Sequence, residues 1–303
     1  MIKIFFSGKR IIFLRLYGGL GNQLFTYAAA KRLAVFNNSE ILIDNYSGFF
    51  RDYKYKRSYR LDNFNIHARV SWLAVIIGLF IVIYRHFLGT SFLQRSFSKR
   101  RFIVQEKKEF DSRILELKYN FFIAFEGFWQ SETYFKDIEL EIRKEFKFNK
   151  EIYSKIRKIL PEICFENSIA IHVRHFEHND LSSESNIEND FYFRALEYFK
   201  SIHPNLQYFL FSDKPVPAYQ RLFKNHENVI IVQEKYLFQD EVQELCFMSH
   251  FKYFIIANST FSWWGAWLSE YKDKIVVAPK TKIDSGETAW GFDGLIPDDW
   301  IKI

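Results

Sequence analysis

Three stretches of this chain place polar side chains where a parallel sheet could deliver them to a ligand. The longest is Tyr253-Phe-Ile-Ile-Ala257, an apolar strand that runs into Asn258-Ser259-Thr260 and then into Phe261-Ser262-Trp-Trp-Gly-Ala-Trp-Leu268. Asn, Ser and Thr at a helix start satisfy backbone N–H groups that have no partner within the helix. The same helix end carries about half a positive charge and suits a phosphate. The plainer reading is a well-capped helix with no ligand. A second strand, Ile169-Ala-Ile-His172-Val173, is followed by Arg174-His175-Phe176-Glu177-His178. Strand alternation puts His172 and Arg174 on one face, at the carboxyl end where open parallel sheets bind ligands. An arginine there can fork onto a diphosphate through paired, charge-assisted hydrogen bonds. The third stretch, Phe209-Leu-Phe-Ser212-Asp213, ends in a carboxylate that can accept from a ribose hydroxyl or a guanine edge, though Ser-Asp also simply starts turns.

A glycine turn, Gly18-Gly19-Leu20-Gly21-Asn22-Gln23, lies between an apolar run and a helical pattern, and lets the backbone approach a ligand closely. Leu24 fills the sixth position of G-x-G-x-x-G and no lysine follows, so neither a dinucleotide fingerprint nor a P-loop is present. The histidines at 172, 175 and 178 make a poor metal set, because a spacing of three across a strand-to-loop junction does not put all three on one side. Cys164 and Cys246, the two cysteines, form neither a disulfide framework nor a zinc pattern, and fit a reducing compartment.

The elements that position these groups alternate. Ile11–Leu16 predicts a strand, Asn22–Phe36 a helix with Leu24, Phe25, Ala28, Ala29 and Leu33 on one face, and Ile41–Ile43 a second strand. From 45 to about 160 the periodicity weakens, and helices are expected there rather than strands. Beyond it come strands at 169–173, 208–212, 229–232, 253–257 and 275–278, separated by helices at 190–202, 240–249 and 261–270. Short β-branched or aromatic runs between amphipathic helices mean parallel sheets covered on both faces. The expected architecture is α/β, with two units facing across a cleft: residues 1–155 and residues 156–303.

Composition agrees with a globular chain of 303 residues, 48% hydrophobic and 26% charged, with 19% aromatic residues that must be mostly core. A net charge of +6 suits an anionic partner. Nucleic acid is disfavoured, since the basic residues gather beside an apolar run and no nucleic-acid motif occurs. That run, Trp72–Tyr84, is too short to span a bilayer. Between 67 and 108 eight arginines and lysines face one acidic residue, Glu106. Segment 69–101 therefore reads either as a peripheral anchor on an anionic leaflet or as a core helix with a solvated basic neighbour. Lys3, Lys9, Arg10 and Arg15 interrupt the N-terminal apolar residues, so no signal peptide is expected and a cytoplasmic location is, peripheral on the inner face of the membrane under the anchor reading.

Taken together, Gly-Gly-Leu-Gly-Asn-Gln-Leu-Phe at 18–25, His-x-Arg at 172–174, Phe-Ser-Asp at 211–213 and Ile-Ile-Ala-Asn-Ser-Thr-Phe-Ser-Trp-Trp-Gly-Ala-Trp-Leu at 255–268 resemble the α-1,2-fucosyltransferase family. The resemblance implies the two-domain B-type fold of glycosyltransferases, with Rossmann-like domains. It implies GDP-fucose as donor, a galactoside-terminated glycan as acceptor, no metal or other cofactor, and inversion at the fucose anomeric carbon. A role in surface polysaccharide or O-antigen synthesis follows from that reading. The alternatives are transfer from a different GDP-sugar and a non-catalytic nucleotide-sugar or glycan-binding protein. Carried over by position, His172 and Arg174 meet the GDP moiety, with Arg174 on the β-phosphate. Asp213 binds the nucleoside, and Asn258, Ser259, Thr260 and Ser262 form the capped helix start that holds the diphosphate. Gly21 and Asn22 line the donor site from the N-terminal domain. The family pattern His-x-Arg-Arg-Gly-Asp departs here to His172-Val-Arg174-His175-Phe176-Glu177. Glu177 stands where the family's Asp would be, as the expected base on the acceptor hydroxyl; Asp180, His175 and His178 are its rivals.

Overall fold

A computed structural model describes residues 9–88, 102–105, 110–175, 187–224, 228–280 and 294–303. The chain divides into two compact units, the first running to Lys147 and taking in Gly294, the second starting at Phe148.

The first unit opens with β1 (Arg10–Arg15), whose Ile11, Ile12, Phe13 and Leu14 are all buried. Such a run without alternation fits a strand covered on both faces. Helix α1 (Leu20–Asn37) follows and ends at Asn38, which adopts a left-handed conformation and returns the chain to β2 (Ser39–Asp44). After the short β3 (Arg69–Val70) comes α2 (Trp72–Leu88), then β4 (Phe102–Val104), β5 (Phe122–Glu126) and α3 (Glu139–Glu145). The strands form one parallel sheet in the order β3-β2-β1-β5-β4. Strands β3, β4 and β5 correct the expectation of helices between 45 and 160. They are short, and Phe122-Ile-Ala-Phe-Glu126 is a core run without alternation, so periodicity could not separate it from a buried helix.

Helix α2 packs one of its faces on the sheet, as the core-helix reading of the 72–84 run expects. Ala74 and Ile81 are buried against the sheet, beside Phe13, Leu42, Phe102 and Ala124. The approach is closest at Gly78, where an added Cβ would lie 1.8 Å from Asp44 Oδ2 and 2.5 Å from Ser47 Oγ. Asp44 cannot yield easily, because it is buried and accepts from the N–H groups of Tyr46 and Ser47 and from the Ser47 hydroxyl. Gly78→Ala is therefore expected to destabilise the protein by about 2 kcal/mol, overpacking outweighing the gain in helix propensity. A urea titration checks this, and an unchanged midpoint would refute the close packing. The basic residues Arg95, Lys99, Arg100 and Arg101 lie outside the described residues.

The second unit begins with α4 (Lys150–Arg157), whose Ile152 and Ile156 are buried. It continues through β6 (Ser168–Val173), α5 (Asn189–Ile202), β7 (Gln207–Ser212), α6 (Pro215–Leu222), β8 (Val229–Ile231), α7 (Val232–Tyr236) and α8 (Glu241–Met248). Strand β9 (Tyr253–Ile255), α9 (Thr260–Leu268), β10 (Ile275–Ala278) and β11 (Ile301–Lys302) complete it. This sheet is parallel throughout, in the order β11-β10-β9-β6-β7-β8. Its central strands carry Ile169, Ile171, Val173, Leu210 and Ile255 into one core. Both units are thus α/β, as the alternating pattern predicts.

Candidate active site

Register decides which side chains meet at the carboxyl edge of the second sheet. Val173 pairs with Ser212 and Ile171 with Ile255, so the residues after β6, β7 and β9 leave the sheet side by side. Arg174 Nη1 lies 3.1 Å from Asp213 Oδ2, and the His175 backbone N–H donates to Asp213 Oδ1 at 2.9 Å. The His175 ring faces the same oxygen, with Nδ1 3.6 Å away. Ser212 ties the two strand ends together, its hydroxyl donating to the Val173 carbonyl at 2.7 Å and accepting from the Lys214 N–H. Burial pushes the Asp213 carboxyl upward, but the hydrogen bonds from His175 and the Arg174 charge outweigh it and hold it below the usual carboxylate range. Asp213, which the motif places at a nucleoside, also holds Arg174 and His175 in place.

His172 is buried on the same face, its ring 5.7 Å from that of Phe261 at the start of α9. Burial, with Arg174 and His175 adding repulsion, pushes its pKa down to about 3, so the imidazole is neutral near pH 7. Its Nδ1 has no hydrogen-bond partner among the described residues. This predicts an acid sensitivity with a definite sign. Below about pH 6.5 the unfolded chain binds a proton that the folded imidazole refuses until about pH 3, so stability is lost as pH falls through that window. Between pH 7 and pH 5 the loss from His172 is about 2 kcal/mol. Urea titrations at both values check it: His172→Gln should show a correspondingly shallower fall, and equal falls in both proteins would contradict the assignment.

Helix α9 starts beside this group. Ser259 is its N-cap, in extended conformation, with the side-chain oxygen accepting from the Phe261 N–H. The Ser262 hydroxyl is buried and donates to the Ser259 carbonyl at 3.3 Å, so it braces the cap from inside the fold. Ser259 and Thr260 are partly exposed at the helix start, and Asn258 is buried just before it. The helix is fixed from behind. Trp263 and Trp264 are fully buried, Trp263 Nε1 donates to the Leu295 carbonyl at 2.7 Å, and Gly265 lets α9 sit directly on Met248 of α8.

Sequence reasoning passed over Glu244 and Gln233, which also lie in the second unit. Gln233 Nε2 donates to Glu244 Oε1 at 2.6 Å. Burial, with the charges of Glu241 and Asp213 contributing, raises the Glu244 pKa to about 7 despite the Gln233 hydrogen bond. No motif flags it, since a glutamate on an amphipathic helix reads as solvated. Glu177, Phe176, His178 and Asp180 lie outside the described residues. Among the described residues no group of three His, Cys, Asp or Glu side chains could hold a metal ion.

Gly21 and Asn22 belong to the first unit, at the carboxyl edge of its own sheet. Gly18 has φ +80°, a conformation that favours glycine, and α1 begins two residues later without a side-chain cap. Asn22 Oδ1 accepts from Gln130 Nε2 at 2.8 Å, and buried Gln23 bonds the backbone at Gly18, Ser58 and Arg60.

A family model described as Glycosyl transferase family 11 matches residues 11–303. The chain belongs to that family. The membership agrees with the fucosyltransferase resemblance carried by the motifs. Over 97% of its length the chain is 30% identical to an alpha-1,2-colitosyltransferase of Escherichia coli, covering 99% of that protein. It is 28% identical to the O-antigen biosynthesis glycosyltransferase WbnK of the same organism, over 95% of this chain and 99% of WbnK. Among solved structures it is similar to NodZ α-1,6-fucosyltransferase co-crystallised with GDP, with a TM-score of 0.55 and 15% identity over 85% of this chain and 91% of that one. At that identity the likeness carries the fold alone, which is the B-type glycosyltransferase fold of two Rossmann-like domains.

Proposed function

We propose that this glycosyltransferase moves L-fucose from GDP-fucose to the 2-hydroxyl of a galactoside, inverting the anomeric centre, in the assembly of a surface polysaccharide or O-antigen. The observation that carries the reading is the Arg174–Asp213–His175 group beside the capped start of α9. A guanidinium held by a carboxylate and a row of helix-end N–H groups are what a diphosphate leaving group requires. The relatives, an alpha-1,2-colitosyltransferase and an O-antigen biosynthesis glycosyltransferase, support α-1,2 transfer and O-antigen synthesis, and NodZ crystallised with GDP supports the nucleotide.

In this reading the acceptor 2-hydroxyl loses its proton to a carboxylate, for which Glu177 is the candidate. Its oxygen attacks the fucose anomeric carbon from the face opposite the nucleotide. The bond from that carbon to the β-phosphate oxygen breaks, and GDP leaves with the electron pair. Arg174 and the α9 N–H groups meet the new negative charge. Neutral His172 offers its unpaired Nδ1 as a hydrogen-bonding group on the same face. No metal has a part in these steps.

A second reading keeps the chemistry and changes the sugar. The relative named as a colitosyltransferase favours it, since these residues recognise GDP without distinguishing fucose from colitose. Titration with GDP, followed by paired assays with GDP-fucose and GDP-colitose, tests both. Saturable GDP binding with faster transfer from GDP-fucose supports the first reading, faster transfer from GDP-colitose selects the second, and absence of GDP binding refutes both.

A further inference from the structure

Helix α2 leaves a second apolar face pointing away from its sheet. Trp72, Ile76, Phe80, Ile83 and Phe87 are between 51% and 76% exposed. At 100° per residue these five positions fall within an arc of about 80°, while buried Ala74, Gly78 and Ile81 lie on the opposite side. The stripe is about 22 Å long, and Val70 of edge strand β3, itself exposed, extends it. A helix that faces water carries polar residues on its outer side. From Trp72 to Tyr84 there are none. Scattered exposed apolar residues are ordinary, but a contiguous patch marks a docking surface.

Charge selects the occupant. The sequence holds no aspartate or glutamate from Asn63 to Gln105, against six arginines and lysines. In the structure Arg69, with its side chain 62% exposed, precedes the stripe. Glu40 lies 3.7 Å from Arg69, and Arg85 turns inward onto buried Glu126. A second copy docked through the same face would set two such basic, acid-free stretches of sequence against one another. An anionic lipid surface answers both the apolar stripe and the basic excess of the surrounding sequence. No helix of the described residues is long and apolar enough to cross a membrane. We infer that the protein docks on anionic membrane through the outer face of α2, the helix lying flat with its five exposed side chains among the headgroups and upper acyl chains. This goes beyond the transfer reaction and does not depend on the donor sugar. It would hold the enzyme where lipid-linked acceptors are found.

Co-sedimentation of the full chain with vesicles of phosphatidylcholine and phosphatidylglycerol, compared with phosphatidylcholine alone, tests the inference. The wild type should pellet with the mixed vesicles and be released by high salt. The double variant Ile76→Ser/Ile83→Ser should bind about tenfold more weakly or less, while still transferring sugar to a water-soluble acceptor. Phe87→Ser, near the helix end, gives a second variant should the first fail to fold. The control Leu140→Ser, on exposed apolar surface of α3, should bind as wild type. A wild type that ignores anionic vesicles or binds neutral ones equally overturns the inference, as do stripe variants that bind undiminished. A wild-type dimer that the stripe substitutions convert to monomer also overturns it, assigning the face to a second copy.

Discussion

Arg174→Ala should lower sugar transfer by about a hundredfold to a thousandfold, the usual effect of removing one preorganised donor from developing charge, or about 2.7–4 kcal/mol in the barrier. The fold should survive. The Arg174 side chain is about a third exposed and its pairing with Asp213 is screened by water, so the stability lost is about 1 kcal/mol at most. Arg174→Lys keeps the charge but not the fork, and should recover only part of the rate. Steady-state kinetics beside a thermal melt separates the outcomes. Transfer within about threefold of wild type would remove Arg174 from the mechanism. A collapse of the melt would make it a structural residue.

Glu126→Ala should destabilise the first unit by about 3–5 kcal/mol. Glu126 is buried at the end of β5, where its two oxygens meet Arg15 at 3.1 Å and Arg85. Arg15 also donates to the Ser47 hydroxyl and carbonyl, and Ser47 in turn bonds Asp44. One carboxylate thus joins the carboxyl ends of β1, β2 and β5 to helix α2. Removing it leaves two largely buried guanidinium groups facing each other uncompensated. Glu126→Gln should fall between the two, keeping an acceptor without the charge. Urea titration gives the measure, and a loss below about 1 kcal/mol would show the cluster to be hydrated rather than buried.

The site on the second sheet was more legible in the sequence than the frame of the first. Ile-Ile-Ala-Asn-Ser-Thr and His-x-Arg announce themselves because a strand, its end and the following residues are contiguous; Ser259 is the cap those residues predict. The pairing of Arg174 with Asp213 was not readable, since it depends on the register of β6 and β7. For the same reason the motif could not show that the Asp213 carboxylate also faces Arg174 and His175. The Arg15–Glu126 pair spans 111 residues and follows from strand order alone. Helix α2 was recognised as an apolar run but not oriented: with no polar residue among its first thirteen, it has no phase from which to tell its buried face from its exposed one. What fixes the orientation is Gly78 against Asp44, a contact without local signature.

The central claim is transfer of fucose in α-1,2 linkage, and its most direct test is incubation of the protein with GDP-fucose and a panel of β-galactosides in the presence of EDTA, the product linkage being read by NMR. An α-1,2-linked fucosyl galactoside, formed undiminished in EDTA and lost in Arg174→Ala, is the predicted result. A product in another linkage, or one that requires a divalent metal, would contradict the account, as would a protein that binds GDP-fucose yet fucosylates none of the galactosides.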